Sequence, residues 1–220
     1  MIVITGASDG LGAELAKLYV ADGKKVISLS RTTPSNGVEH IETDLSDPKS
    51  VDATIKQLLE MNEPIEALVN NAALQTMDPI GEQRPEAISK VLQVNVGAVV
   101  HLTSGLLKKI VADDGDIMIV TSNKAFAPFT RDPLYGTSQY AERGYSVSLQ
   151  EELKESRTRV INFAPCGFVS RIVEKATGEK IADPSQWAAP KDIAVVMKQI
   201  LELPKIIQVS EIILDRKAKK

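Results

Sequence analysis

Residues 5–12 read Thr-Gly-Ala-Ser-Asp-Gly-Leu-Gly, between the short apolar run Ile2-Val3-Ile4 and a stretch of helical periodicity, "LGAELAKLYVADG", that ends at Gly23. Gly6 permits a tight turn out of a strand. Gly10, lacking a Cβ, lets a phosphate approach the backbone, and Gly12 lets a helix pack closely on the strand. Free N–H groups and a partial positive charge at the helix N-terminus then favour an anion. Ser8, Asp9 and Leu11 lie within the same loop. A tight turn without a ligand also wants glycine, but a glycine cluster at the first strand-to-helix junction is the usual place of a dinucleotide fingerprint.

Moving outward from that loop, short β-branched runs alternate with longer amphipathic ones. Residues 25–30 predict a second strand, 38–43 a weaker third, 67–70 a fourth, 116–121 a fifth and 159–164 a sixth, with a possible last strand at 211–214. Helices are expected over 85–109, 133–156 and 190–203. A further helix is expected from Asp47-Pro48, an N-cap followed by proline at the first helical position, to about residue 60. Near-continuous apolar strands alternating with helices predict one α/β Rossmann-type domain over residues 1–215. It has a doubly wound, mainly parallel, seven-stranded sheet with helices on both faces. Residues 166–189 are the least regular part, and a long irregular stretch in a compact domain is commonly functional. Residues 216–220 form a basic C-terminal tail, read as a solvated end more readily than as an anion-binding arm.

Hydrophobic residues make up 43% of the 220 residues and the formal net charge is −3. That balance offers no general attraction to nucleic acid or acidic lipid. The single cysteine, Cys166, allows no internal disulfide and suits a reducing compartment, where it reads as a small buried hydrophobe. The two histidines, His40 and His101, match no metal spacing, and no metal is expected. No leader-like segment and no apolar run near ~18 residues is visible, so a soluble cytoplasmic chain is expected.

Five further features fall in order: "DL" at Asp44-Leu45, "NNAA" from Asn70 through Asn71 and Ala72 to Ala73, "NVGA" from Asn95, "TS" at Thr121-Ser122, and Tyr135 beyond them. Together with the glycine loop they resemble the short-chain dehydrogenase/reductase family over nearly the whole chain. The resemblance implies that Asp44 and Leu45 meet the adenine. It implies that Asn70 holds the central strand where "NNAA" lines the cofactor path, and that Asn95 bends its helix and holds a water in a proton relay. It further implies contacts to the cofactor from "PCGFVS", through Pro165, Gly167, Phe168 and Ser170. Read without the resemblance, Asp44 is a cap, Asn70 a polar strand end and Asn95 a buried amide.

Where the family often carries an acid that favours NAD, this chain has Ser30-Arg31. An arginine pairs with a 2′-phosphate, so NADP(H) is favoured over NAD(H), with Asp9 as a mild counter-signal. Ser122 and Tyr135 match the family's oxyanion-steadying serine and proton-donating tyrosine. In "LYGTSQYAERGY" (134–145), however, Gln139 stands at the family's lysine position. A tyrosine titrates near ~10, and a neighbouring cation lowers such a value by about 1–3. A glutamine can bond the ribose but brings no charge. Arg143, one turn on, and Lys124, beside Ser122, are the candidate substitutes.

These readings predict an NADP(H)-dependent oxidoreductase acting on a small, partly hydrophobic carbonyl or alcohol compound, its proton transfer impaired at Gln139. A non-catalytic NAD(P)-binding or redox-sensing module on the same fold is the alternative, and a structural subunit is also compatible. The resemblance implies a homodimer or homotetramer paired through the two long helices.

Overall fold

The computed structural model describes residues 1–34, 37–129 and 131–217. Seven strands form one sheet: β1 (Ile2–Thr5), β2 (Val26–Ser30), β3 (Glu39–Glu42), β4 (Ala67–Asn70), β5 (Asp116–Val120), β6 (Val160–Ala164) and β7 (Glu211–Ile213). Their order is β3-β2-β1-β4-β5-β6-β7, and every pairing is parallel. The last strand, the weakest in sequence, is therefore parallel like the rest.

Burial explains the order. Every residue of β1, β2, β4, β5 and β6 is buried, as strands covered on both faces must be. In β3, Glu39 and Glu42 are exposed and only Ile41 is buried, which suits an edge. On one face pack α1 (Gly10–Ala21) and α7 (Pro190–Leu201), around Leu15, Phe163 and Met197. On the other pack α2 (Pro48–Glu60), α3 (Pro85–Leu92), α4 (Ala98–Ala112) and α5 (Pro133–Glu152), around Leu58, Leu102 and Leu106. The Asp47 carboxylate accepts from Lys49 N at 3.0 Å, as the Asp-Pro pattern predicts.

The helix expected over 85–109 is not continuous. Residues Gln93–Gly97 form a π-helical turn between α3 and α4. At its centre Asn95 is wholly buried, accepts from Leu74 N at 2.7 Å and donates to Leu74 O at 2.9 Å and to Ser138 Oγ at 2.9 Å. The extra residue in the turn lets one side chain tie the loop after β4 to α5. The position at which a bend is expected falls within this π-helical turn. The stretch Pro85–Ala112 is long and apolar enough to cross a membrane by length and composition, yet its buried face (Val94, Leu102, Leu106, Ile110) belongs to the sheet core. Residues 166–189 contain a short helix, α6 (Ile172–Thr177), and a single bridge from Phe168 to Ala188.

Strand order reverses between β1 and β4, the point where open α/β sheets leave a crevice at their carboxyl ends. Thr5 stitches the two strands there. Its Oγ1 accepts from Asn71 N at 2.8 Å and Ala72 N at 2.9 Å, and its carbonyl accepts from Asn71 Nδ2 at 3.0 Å.

Candidate active site

One cavity of about 1070 Å³ runs along that carboxyl edge. Its floor begins at the glycine loop. Gly6 and Gly10 have φ of +71° and +57°, the left-handed region that disfavours other residues. A Cβ at Gly10 would meet nothing within 4 Å. At Gly12 a Cβ would lie 2.7 Å from Gly6 O and 2.6 Å from Asn71 Nδ2. So Gly12 serves close packing, and the backbone around Gly10 is left bare toward the cavity. A positive-φ loop with open space, at the head of a helix, fits a pyrophosphate.

Ser8, Asp9 and Leu11 line the cavity beside this loop, followed by Ser30, Arg31, Asp44, Leu45 and the Asn71–Ala73 segment. Asp44 Oδ1 accepts from Ser46 Oγ at 2.7 Å and Ser46 N at 2.9 Å; these bonds, aided by the Arg31 and Lys90 charges, hold its carboxyl below the usual range. Arg31 is exposed and has no hydrogen-bond or ion-pair partner among the described residues. Asp9 does not confront the cavity as a lone charge. Lys175 and Arg171, from the segment around α6, approach its carboxylate at 2.9 Å and 3.8 Å.

The opposite wall carries Pro165, Cys166, Gly167, Phe168 and Ser170. Gly167 is held to glycine by Trp187, whose ring would lie 2.7 Å from a Cβ there. Cys166 is buried, and burial raises its thiol pKa, as suits an inert side chain. The tail expected to be solvated begins instead on this wall: Arg216 stacks 4.4 Å from the Trp187 ring centre and donates to Gln186 O at 2.8 Å. Residues 218–220 of that tail lie outside the described residues.

At the far end of the cavity stand Ser122 and Tyr135. Ser122 ends β5's extension and caps a short turn, its Oγ accepting from Lys124 N at 3.2 Å. Tyr135 opens α5. Buried Asp132 caps that helix, taking Tyr135 N at 3.0 Å, and also takes Thr76 N at 3.1 Å and Met77 N at 2.9 Å. Phe129 meets the Tyr135 ring edge-on at 6.1 Å. Burial pushes the Tyr135 phenol pKa well up; Glu142 and Asp132, when ionised, push the same way, and a side-chain hydrogen bond with Ser122 pulls against them.

Two expected site residues stand elsewhere. Gln139 is 0% exposed and absent from the cavity wall. Its amide donates to Glu142 Oε2 at 2.5 Å and to Ser138 Oγ at 3.4 Å, while its own oxygen has no partner among the described residues. Asn95 is also absent from the wall, its side chain bonded to Leu74 and Ser138. Asn70, likewise buried, donates to Thr103 Oγ1 at 3.2 Å. Arg143 is no substitute cation. It grips Glu211 at 2.8 and 3.1 Å and stacks on Phe126 at 4.0 Å. Lys124 does line the cavity.

Sequence reasoning missed Asp132 and Glu142. The first was findable, since Asp132-Pro133 repeats the Asp47-Pro48 capping pattern. The second lies one turn beyond Gln139 on the same helix face. Glu142 is 2% exposed, and burial raises its carboxyl pKa well above the usual value, against the opposing bond from Gln139.

The profile of the short chain dehydrogenase family matches residues 1–180. The chain belongs to the short-chain dehydrogenase/reductase family. Among curated relatives, dehydrogenase/reductase SDR family member 7B of Mus musculus is 28% identical over 188 residues, covering 77% of this chain and 57% of the mouse protein. The chain thus spans little more than half of that relative. An uncharacterized short-chain type dehydrogenase/reductase of Sinorhizobium fredii is 26% identical, with 96% and 88% covered. The structure of an alcohol dehydrogenase from Thermococcus sibiricus, complexed with 5-hydroxy-NADP, superposes with a TM-score of 0.86 over 99% of this chain and 98% of that one, at 23% identity. This SDR chain therefore has the family's oxidoreductase, NAD(P)-binding Rossmann fold.

Proposed function

We propose that this SDR chain is an NADP(H)-dependent oxidoreductase of a carbonyl or alcohol substrate, slowed in proton transfer because Gln139 stands where the family has lysine. The observation that carries the reading is that one cavity joins a bare glycine loop and Arg31, unpaired among the described residues, to the Ser122–Tyr135 pair. When bound, the nicotinamide supplies or accepts the hydride.

Gly6, Gly10 and the α1 N-terminus hold the pyrophosphate, and Arg31 holds the 2′-phosphate. A neighbouring solved structure with an NADP derivative supports that choice. Tyr135 gives its phenolic proton to the carbonyl oxygen, and Ser122 steadies that oxygen by a hydrogen bond. A buried phenol with a raised pKa keeps its proton at neutral pH. Carbonyl reduction is then the direction for which the site is charged, and alcohol oxidation lacks its base. A missing cation worth about 1–3 in pKa corresponds to roughly 1.4–4 kcal/mol, or about 10- to 1000-fold in rate if fully expressed.

Cofactor choice is tested by titrating NADPH and NADH into the wild type and Arg31→Ala. NADPH affinity falls at least about 10-fold more than NADH affinity, the loss of a charge-assisted bond. Equal losses contradict the assignment.

A second reading, a nucleotide-binding protein without turnover, draws on a specific observation: neither Gln139 nor Asn95 lines the cavity, and their side chains bond Glu142 and Ser138. It predicts NADPH binding with no oxidation against any aldehyde, ketone or diketone.

A further inference from the structure

We propose that the carbonyl substrate carries an anionic group, a carboxylate or a phosphate, seated between Lys124 and Arg131 while its apolar body lies against Phe129, Phe168 and Trp187. This inference rests on the reading of the cavity as a carbonyl-reducing site.

Lys124 and Arg131 flank Phe129 on the segment that links Ser122 to Tyr135, and both line the cavity. The Lys124 ammonium lies 5.6 Å from the centre of the Phe129 ring, which in turn meets the Tyr135 ring at 6.1 Å. The ammonium is thus within about 12 Å of the Tyr135 ring centre. Each cation's backbone is anchored to the reacting residues. Lys124 N donates to Ser122 Oγ at 3.2 Å, and Arg131 adjoins Asp132, which caps the helix of Tyr135.

Neither the Lys124 ammonium nor the Arg131 guanidinium has a hydrogen-bond or ion-pair partner among the described residues. Several other charged groups around the cavity are committed. Arg216 is stacked on Trp187, Asp215 accepts from Asn123 Nδ2 at 2.9 Å, and Lys175 and Arg171 lie against Asp9. Unpaired cations in a cleft with apolar walls raise the local concentration of anions and bind them less screened than on an open surface. The aromatic walls match the partly hydrophobic substrate expected from sequence, and the two cations add one charge to it.

Trp187 is the chain's only tryptophan and faces this cavity, so its emission reports occupancy without turnover. The full chain is first loaded with NADP⁺. It is then titrated with 2-oxohexanoate, its methyl ester and a phosphonate of the same length. The acid binds at least about 10-fold more tightly than the ester, and the difference shrinks as salt rises. Lys124→Met and Arg131→Met each narrow that difference. A phosphonate that outbinds the carboxylate assigns the phosphate class. Equal binding of acid and ester, no response from Trp187 to any probe, or a preference that survives both substitutions overturns the proposal. Failure to load NADP⁺ appears in the first step and contradicts the dinucleotide reading itself.

Discussion

Gln139 faces inward because Glu142, one turn along α5, takes its amide hydrogen at 2.5 Å. That contact changes what can be expected of restoring a lysine. An ammonium at 139 would meet a buried carboxyl that becomes a carboxylate in its presence, and the pair would hold the charge away from Tyr135. Gln139→Lys alone therefore gains little carbonyl-reducing activity, whereas Gln139→Lys with Glu142→Leu exceeds the single variant by about 10-fold or more. Steady-state NADPH oxidation of the two variants decides it, and equal rates contradict the coupling. Glu142 also leaves a mark on stability. Its folded pKa is raised by burial above the usual ~4.3, so the folded state holds the proton more tightly than the unfolded chain. The stability this represents is complete below the unfolded pKa and is lost as pH rises toward the folded value. Glu142→Gln removes that loss. Thermal melts at pH 5 and pH 8 show the variant's advantage growing with pH, and an advantage independent of pH runs against the buried, protonated carboxyl.

At the level of elements, the site depends on two segments brought together by one capping residue. Asp132 starts α5, orients Tyr135, and holds the loop after β4 through Thr76 and Met77. Asp132→Ala leaves three N–H groups without their acceptor and costs about 2–4 kcal/mol in urea unfolding. Turnover falls with it, because Tyr135 loses its register. A variant as stable as the wild type would show the cap to be idle. The Asp-Pro signal reads identically at 47 and at 132, yet only contact with a distant loop makes the second one part of the site. The π turn at Asn95 was illegible for a different reason. One inserted residue barely disturbs a helical period, and the hydrogen bonds to Leu74 and Ser138 that justify it come from segments 21 and 43 positions away. The direction of Gln139 could not be read from i, i+4 spacing, because the deciding partner is a carboxyl at i+3 that favours the interior.

The whole molecule places both halves of the chemistry on one edge of one sheet. Apolar strands and the first glycine turn make the doubly wound arrangement readable. The order β3-β2-β1-β4-β5-β6-β7 then puts the glycine loop, the segment after β2 and the Ser122–Tyr135 pair around a common crevice. Assembly is a proposal at this scale: exposed Leu92, Tyr140 and Val147 lie on α3 and α5, the helices expected to pair two copies. The central claim is that this crevice carries out Tyr135-dependent carbonyl reduction. It is tested most directly by following NADPH oxidation with an aldehyde, ketone and oxo-acid panel for the wild type and Tyr135→Phe. A slow wild-type rate that drops at least about 10-fold in Tyr135→Phe, with NADPH affinity retained, is the predicted result. A rate unchanged by the substitution, or NADPH binding without oxidation by either protein, contradicts it.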